Sequence, residues 1–135
     1  MAKRLRVLDS WAVVAYFEAQ PGGEQVREML VEMHESGGQL LMCVVNVGEV
    51  WYSLARGHSP AIADEKTLEL VQLGVEFVDA DWELAKQAAI FKMKGNIAYA
   101  DCFAAALAKQ NKAELVTGDS EFRQVEKEVG ILWLA

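Results

Sequence analysis

Four carboxylate side chains are the groups in this sequence best suited to chemistry, and they belong to Asp9, Glu49, Asp101 and Asp119. If folding brings them together, their charges repel one another, raise one another's pKa and destabilise the fold unless a cation neutralises them. Oxygen ligands of this kind suit Mg²⁺ or Mn²⁺ rather than zinc. A divalent metal site would therefore require a fold that gathers these acids.

Short apolar segments alternate with helix-forming stretches along the whole chain. The predicted strands cover residues 4–8, 40–45, 75–78, 114–117 and 131–134. The predicted helices cover residues 11–17, 24–35, 46–56, 60–73, 82–94, 98–111 and 120–129. Strands separated in this way are expected to pair in parallel, because parallel neighbours need a crossover connection. We therefore predict a three-layer α/β/α sandwich around a central, mostly parallel five-stranded sheet, formed as a single domain over residues 1–135.

This topology predicts that the four acids meet at the carboxyl edge of the sheet. Asp9 directly follows the first predicted strand, and Asp119 follows the fourth after one glycine. Glu49 lies in the first turn of the helix entered from the second strand. Asp101 lies early in an alanine-rich helix, where a carboxylate among apolar or small neighbours is costly unless something pairs with it. Open parallel α/β sheets place their functional crevice at this edge, so we expect the acids there.

Helix capping is the competing interpretation of the same residues. Asp9, Glu49 and Asp119 all lie near helix starts, where acids accept hydrogen bonds from unpaired N–H groups and complement the helix dipole. The pattern Asn46-x-x-Glu49 has the form of a capping box. Asp101 fits capping less well, because its helix is predicted to begin before it. Four acids converging on one edge are harder to explain by capping alone.

The composition limits the class of protein. Hydrophobic residues make up 53% of the chain and charged residues 24%, which excludes a disordered or fibrous protein. Cys43 and Cys102 lie far apart without a metal-binding pattern, so neither a disulfide framework nor a zinc site is indicated. A net charge of −7 argues against broad non-specific binding to nucleic acid. No apolar run reaches the ~18 residues of a membrane span, and the first apolar stretch is too short for a signal peptide, so we expect a cytoplasmic protein.

The residues around the four acids resemble those of the PIN domain. They are Val7-Leu8-Asp9-Ser10, Val47-Gly48-Glu49-Val50, Tyr99-Ala100-Asp101-Cys102 and Val116-Thr117-Gly118-Asp119, the last followed by Phe122. The sequence is most similar to the stand-alone VapC-type toxin ribonucleases of bacteria and archaea. The resemblance extends over essentially the whole chain, with the motifs in the usual order and at the usual spacing.

The resemblance implies a Mg²⁺- or Mn²⁺-dependent ribonuclease whose acidic, metal-binding pocket is formed by Asp9, Glu49, Asp101 and Asp119. Ser10 and Thr117 occupy places where the family often carries a hydroxyl that orients a carboxylate or a water on the metal. Glu121 lies where many relatives carry another acid, although a solvated charge in the first turn of a helix is the simpler interpretation. Resemblance to VapC further implies an RNA substrate, a small protein antitoxin that blocks the pocket, and a homodimer.

An RNA substrate would need a local basic rim, because the net charge of the protein is negative. Arg56 and His58 follow the Glu49 helix, and Lys92 and Lys94 precede the Asp101 helix. These are the preferred RNA contacts, although solvated surface charges are the commoner role of such residues. Aromatic residues that could stack on unpaired bases, but that more often belong to a core or an interface, are Trp11, Tyr16, Trp51 and Tyr52.

Other functions fit less well or remain open. A receiver-type phospho-acceptor needs paired acids after the first strand, where this chain has only Asp9-Ser10. A phosphatase of the haloacid dehalogenase type needs Asp-x-Asp there, and Trp11 fills the third place. A housekeeping RNA-processing nuclease and a non-catalytic binding module with the PIN fold remain alternatives to a toxin.

Overall fold

Five parallel strands form the centre of the protein in a computed structural model, which describes residues 4–134. The strands are β1 (Leu5–Leu8), β2 (Gln39–Cys43), β3 (Val75–Val78), β4 (Glu114–Thr117) and β5 (Ile131–Trp133). The helices are α1 (Ser10–Phe17), α2 (Gly23–Ser36), α3 (Val44–Gly57), α4 (Pro60–Gln72), α5 (Trp82–Lys94), α6 (Tyr99–Asn111) and a 3₁₀ helix (Ser120–Val125). The strand order is β3-β2-β1-β4-β5, with every pairing parallel. The predicted α/β/α architecture is confirmed.

Alternating side chains of the central strands build one core on each face of the sheet. Val7 and Leu115 pack with α5 and α6 on one face. Leu8 and Val116 pack with α1, α2, α3 and α4 on the other. All four side chains are fully buried, and burial of an aliphatic side chain of this size stabilises a fold by about 1.5–3 kcal/mol. The two cores hold β1 and β4 rigidly side by side, and both strands end at the edge where the acids lie.

The passage from β2 to α3 differs from the sequence prediction. The strand ends at Cys43 and the helix begins at once with Val44, whereas the sequence predicted a strand to residue 45 and a helix from residue 46. A short apolar run can be either a strand or the first turn of a buried helix. The valines at positions 44 and 45 therefore did not show where the strand ends and the helix begins. Asn46 therefore lies inside the first turn, and the helix has no side-chain cap. The capping-box interpretation of Asn46 and Glu49 is wrong.

The segment after Asp119 also differs from its prediction. A 3₁₀ helix covers Ser120–Val125 where the sequence predicted a helix to residue 129. The Asp119 carboxylate accepts a hydrogen bond from the Glu121 amide at 2.9 Å, which tightens the first turn. Phe122 and Val125 are both buried, and their spacing of three residues matches the repeat of a 3₁₀ helix.

Within residues 4–134, every helix is too short or too polar to cross a lipid bilayer.

Candidate active site

The acids lie where the order of the strands reverses. From the central strand β1 the chain passes to β2 and β3 on one side, and β4 and β5 lie on the other. Leu8 pairs with Val116, and the amide of Asp9 donates to the carbonyl of Val116 at 3.4 Å, so the ends of β1 and β4 lie together. Ligand sites of parallel α/β sheets form at such a reversal, beyond the carboxyl ends of the strands.

Asp9 lies beneath the site and is only 1% exposed. Its Oδ1 accepts from the amide of Ala12 at 2.8 Å, which caps α1, and its Oδ2 accepts from the hydroxyl of Thr117 at 2.5 Å. Burial raises the pKa of Asp9 to about 7, although these two hydrogen bonds act to lower it; the charges of Asp101 and Asp119 raise it further. Asp9 therefore caps a helix and also faces the charges of the site.

Asp101, Asp119 and Glu121 bring carboxylate oxygens within 4.8 Å of one another. Asp101 belongs to the first turn of α6, and Asp119 caps the 3₁₀ helix that carries Glu121. Burial raises the pKa of Asp101 to about 7, and the charges of Glu49, Asp119 and Glu121 add to the effect. In residues 4–134, no hydrogen-bond donor reaches the Asp101 carboxylate. The charges of these acids therefore repel one another, and the Asp101 carboxylate has no hydrogen bond from the described residues to offset that repulsion.

Glu49 projects from α3 into the same cavity as Asp101 and Asp119. Its Oε1 accepts from the hydroxyl of Ser10 at 3.0 Å and from the side-chain amide of Asn46 at 3.1 Å. The predicted supporting role of Ser10 is thus directed at Glu49, and Thr117 is bonded to Asp9. Both hydroxyls orient carboxylates in the structure.

The cavity has a volume of about 340 Å³. Acids form one part of its wall, and Trp11 and Tyr52 form another. Trp11 packs directly against the backbone of Gly118, since a Cβ built at position 118 would lie 2.2 Å from the indole Cη2. The indole is thereby fixed over the turn that joins Thr117 to Asp119. This contact was not predicted from the sequence. The residues that could have indicated it are Trp11, two positions after Asp9, and Gly118, directly before Asp119.

The predicted acids differ in their positions in the site. Carboxylate oxygens of Asp101 and Asp119 lie within 4.8 Å of one from Glu121, Glu49 lines the same cavity as Asp101 and Asp119, and Asp9 is buried. Glu121 is exposed, as a solvated charge would be, yet its carboxylate belongs to the group. An all-oxygen donor set fits Mg²⁺ or Mn²⁺. Repulsion from neighbouring carboxylates contributes to the raised pKa of Asp101, and a bound divalent cation would relieve that repulsion. The residues therefore fit such a metal.

The four predicted RNA contacts each have a partner within the protein. The Arg56 guanidinium lies 5.0 Å from the Tyr52 ring centroid, and His58 Nε2 is 2.8 Å from Glu18 Oε1. Lys92 Nζ donates to the Ile97 carbonyl at 2.9 Å, and Lys94 Nζ is 3.4 Å from Glu128 Oε1. In the described part of the chain, the lining of the acidic cavity includes none of these four. Arg56 stacks on Tyr52, and Tyr52 does line the cavity.

The other two predicted aromatic contacts lie in packed surroundings. The Trp51 indole N–H donates to Asp64 at 2.9 Å and ties α3 to α4, and the Tyr16 ring contacts that of Phe17 at 5.2 Å between centroids. Tyr52 differs from them because it is 46% exposed and lines the cavity. The structure thus brings Trp11 and Tyr52 to the acids and leaves Tyr16 and Trp51 in helix packing.

Solved structures with the same fold include a toxin and a toxin–antitoxin complex. VapBC2 from Rickettsia felis, bound to a DNA fragment from its promoter, has a TM-score of 0.73 at 14% identity and covers 97% of this chain and 99% of that chain. VapC20 from Mycobacterium tuberculosis, a toxin that cleaves the sarcin-ricin loop, has a TM-score of 0.68 at 13% identity, covering 87% and 92%. FitAcB from Neisseria gonorrhoeae has a TM-score of 0.70 at 20% identity, covering 94% and 96%. No curated protein sequence matches this chain.

A family model gives the assignment directly. The model of the PIN domain matches residues 6–128, a span that contains all four predicted acids together with Ser10, Thr117 and Glu121. The order of the strands, the reversal between β1 and β4, and the acids at that edge agree with the match. This chain therefore belongs to the PIN domain family.

Proposed function

We propose that this chain is a metal-dependent ribonuclease that hydrolyses RNA phosphodiester bonds as the toxin of a toxin–antitoxin pair. The observation that carries the proposal is the grouping of the Asp101, Asp119 and Glu121 carboxylates in a PIN domain, beside a cavity that Glu49 lines together with Asp101 and Asp119. Mutual repulsion and burial make this arrangement unfavourable in the absence of a cation, which supports a role in binding one.

Asp101, Asp119 and Glu121 would hold Mg²⁺ or Mn²⁺, together with Glu49 of the cavity lining and the buried Asp9. Such a cation, when bound, lowers the pKa of a coordinated water and offsets charge on the leaving oxygen. Among residues 4–134 nothing donates a hydrogen bond to Asp101, so both of its oxygens are free to act as ligands. Thr117 holds Asp9 on one side and accepts from the amide of Asp119 at 3.0 Å on the other, which fixes the turn between β4 and the 3₁₀ helix.

RNA would approach along the wall formed by Trp11 and Tyr52. Arg56, stacked on Tyr52, is the predicted rim cation closest to this wall in its contacts, and it would bind a backbone phosphate. His58, Lys92 and Lys94 remain proposed RNA contacts. Each would have to break its present interaction within the protein in order to bind RNA. A phosphodiester entering the cavity would meet the acids only with the cation present, because bare carboxylates repel phosphate.

The proposed partners are a cognate protein antitoxin and a second copy of the chain. VapBC2 from Rickettsia felis and a toxin-antitoxin complex from Klebsiella pneumoniae share the fold, the second at a TM-score of 0.69 and 12% identity, which supports an antitoxin partner. We propose that the dimer contact involves residues 26–33 of α2 or the region of Trp51 and Tyr52. Val26 and Met33 of α2 are buried in the core, which leaves Val31 of that helix and Tyr52 exposed. Sedimentation at micromolar concentration should give a dimer in the absence of antitoxin, and a single species near 14.9 kDa would contradict this.

Cleavage assays test the proposed activity. Purified protein should cut RNA with Mg²⁺ or Mn²⁺ and lose this activity in EDTA. Asp101→Asn should abolish cleavage, whereas Asp81→Asn, the same chemical change at the cap of α5, should leave it unaltered. Cleavage that persists in EDTA would overturn the metal mechanism. Failure to cut any structured or single-stranded RNA would favour a non-catalytic binding module, and activity without an antitoxin gene beside it would favour housekeeping RNA processing.

A further inference from the structure

Asn46 joins two helices at the points where each carries an acid of the cavity. Its side chain is wholly buried in the first turn of α3. Its Nδ2 lies 3.1 Å from Glu49 Oε1 on the same helix and 3.0 Å from the carbonyl oxygen of Ala100 on α6. Ala100 immediately precedes Asp101, so one amide group spans from Glu49 to the backbone that carries Asp101.

The surroundings of Asn46 are unfavourable for a residue that serves stability alone. The two N–H bonds of Nδ2 are both used, but Oδ1 is buried without a hydrogen-bond partner, the one such side-chain atom found in residues 4–134. A buried acceptor without a partner costs free energy, and apolar groups of the same shape would avoid that cost. The two hydrogen bonds made by the amide nitrogen are therefore the more informative feature of this side chain.

Those two bonds restrict the position of both acids. Oε1 of Glu49 accepts from Asn46 and also from Ser10, so the carboxylate is held from α3 and from α1. Asp101 has no donor within the described range 4–134, and its position depends on the backbone of α6. The bond to Ala100 fixes that backbone relative to Glu49.

We propose that Asn46 is a positioning residue that sets the separation of Glu49 and Asp101, so that both carboxylates act on one divalent cation. The proposal rests on the function proposed above and adds a residue to it. Residues that hydrogen-bond to metal ligands do not touch the ion themselves. Removing them commonly weakens metal affinity tenfold or more.

Metal binding by the whole protein tests this role without relying on cleavage. Titration calorimetry with Mn²⁺ should show at least a tenfold higher Kd for Asn46→Ala than for the parent. Asn111→Ala is the matched control, because the Asn111 amide also donates to a helix carbonyl, that of Leu107 at 2.9 Å, but far along α6 from the acids. Asn111→Ala should bind Mn²⁺ as the parent does. An Asn46→Ala protein that melts earlier in EDTA but keeps the parent Kd would show a purely structural residue and overturn the proposal.

A double-mutant cycle separates positioning from general loosening of the fold. If Asn46 acts through Glu49, Asn46→Ala should weaken Mn²⁺ binding less when Glu49 is already alanine. Equal fold-changes in both backgrounds would contradict action through Glu49. Asn46→Asp keeps the shape of the side chain while its carboxylate cannot donate to Glu49, and it should show at least the same loss of affinity.

The parent protein supplies a test that does not depend on any variant folding. The side-chain amide of Asn46 should exchange its hydrogens slowly, and its NMR signals should move as Mg²⁺ is added, because the carboxylate it holds changes its environment. Signals that stay unchanged through saturation with Mg²⁺ would overturn the proposal. A parent that binds neither cation would contradict the proposed function as well, whereas a parent that binds equally with and without Asn46 would contradict this inference alone.

Discussion

Thr117 donates a hydrogen bond to Asp9 from the neighbouring strand, and this bond joins residues 108 positions apart in the sequence. The hydroxyl also accepts from the amide of Asp119. One oxygen therefore links the acid after β1 to the acid after β4. The bond to Asp9 is fully buried, so water cannot replace it if it is lost.

Thr117→Val should weaken both the fold and the metal site. The change keeps the shape of the side chain and removes the donor to Asp9, which raises the Asp9 pKa further because that bond now lowers it. We expect a loss of about 1–3 kcal/mol in the free energy of unfolding, since a buried carboxylate loses its partner. We also expect at least a tenfold weaker affinity for Mg²⁺. Urea titration and calorimetry measure the two effects.

Thr67→Val is the control for that experiment. The Thr67 hydroxyl also donates to backbone carbonyls, those of Ala63 and Asp64, but within α4. It should leave Mg²⁺ affinity unaltered. Equal Mg²⁺ affinity in the parent and in Thr117→Val would mean that Asp9 takes no part in metal binding.

The stability of the metal-free protein should fall as pH rises from about 5 to 7. Asp9 and Asp101 have folded-state pKa values of about 7, above the usual 3.8, so the folded protein binds more protons than the unfolded chain between these values. The free energy of unfolding therefore decreases with pH across this window and levels off above it. Urea titrations in EDTA at several pH values measure the slope.

Mg²⁺ should reduce or reverse that slope, because the cation binds the ionised carboxylates and competes with protons. Asp101→Asn should flatten it by removing one of the two groups. A metal-free protein whose stability rises steadily from pH 5 to 7 would contradict the assignment of both raised pKa values.

Asp101→Asn should also separate metal binding from capping. In the part of the chain that the structure describes, Asp101 accepts no hydrogen bond, so removing its charge relieves repulsion from Glu49, Asp119 and Glu121. The melting temperature in EDTA should stay the same or rise, and millimolar Mg²⁺ should stabilise the parent more than the variant. Thermal melts of both proteins in EDTA and in Mg²⁺ give the comparison. A variant that is less stable in EDTA and equally responsive to Mg²⁺ would identify Asp101 as structural.

Glu121→Gln tests whether the exposed member of the group contributes to metal binding. Its carboxylate lies within 4.8 Å of ligand atoms of Asp101 and Asp119, so we expect a weaker Mn²⁺ affinity by about tenfold. Stability in EDTA should change by less than about 0.5 kcal/mol, as is usual for an exposed side chain. Glu126→Gln, an exposed acid beyond the end of the same 3₁₀ helix, is the control. Equal Mn²⁺ affinities in the parent, Glu121→Gln and Glu126→Gln would mean that Glu121 is only a solvated surface charge.

The strands and the edge that collects the acids could be predicted from the sequence, because continuous apolar runs separated by crossovers leave few topologies. Asp9 follows β1 directly and Asp119 follows β4 after one glycine, so the topology determined their positions. The hydrogen bonds between the side chains of the site could not be predicted in this way. Asn46 looked like a helix cap, since nothing local shows that α3 begins two residues earlier. Its bond to Ala100 depends on the packing of α3 against α6, which a pattern within one helix does not contain.

Glu121 shows a different limit. Its position early in a helix predicts an exposed charge, and the residue is exposed. Its proximity to Asp101 depends on how the 3₁₀ helix turns back over α6, and that direction follows from burial of Phe122 and Val125 in the core beside α6.

The contact between Trp11 and Gly118 restricts the order in which this protein can evolve. The indole occupies the space that any side chain at position 118 would need, 2.2 Å from where its first carbon would lie. Any side chain at position 118 would therefore force the indole to move from the wall of the cavity, whereas shortening the tryptophan first would open the space. We expect larger residues at position 118 to be accompanied by smaller residues at position 11.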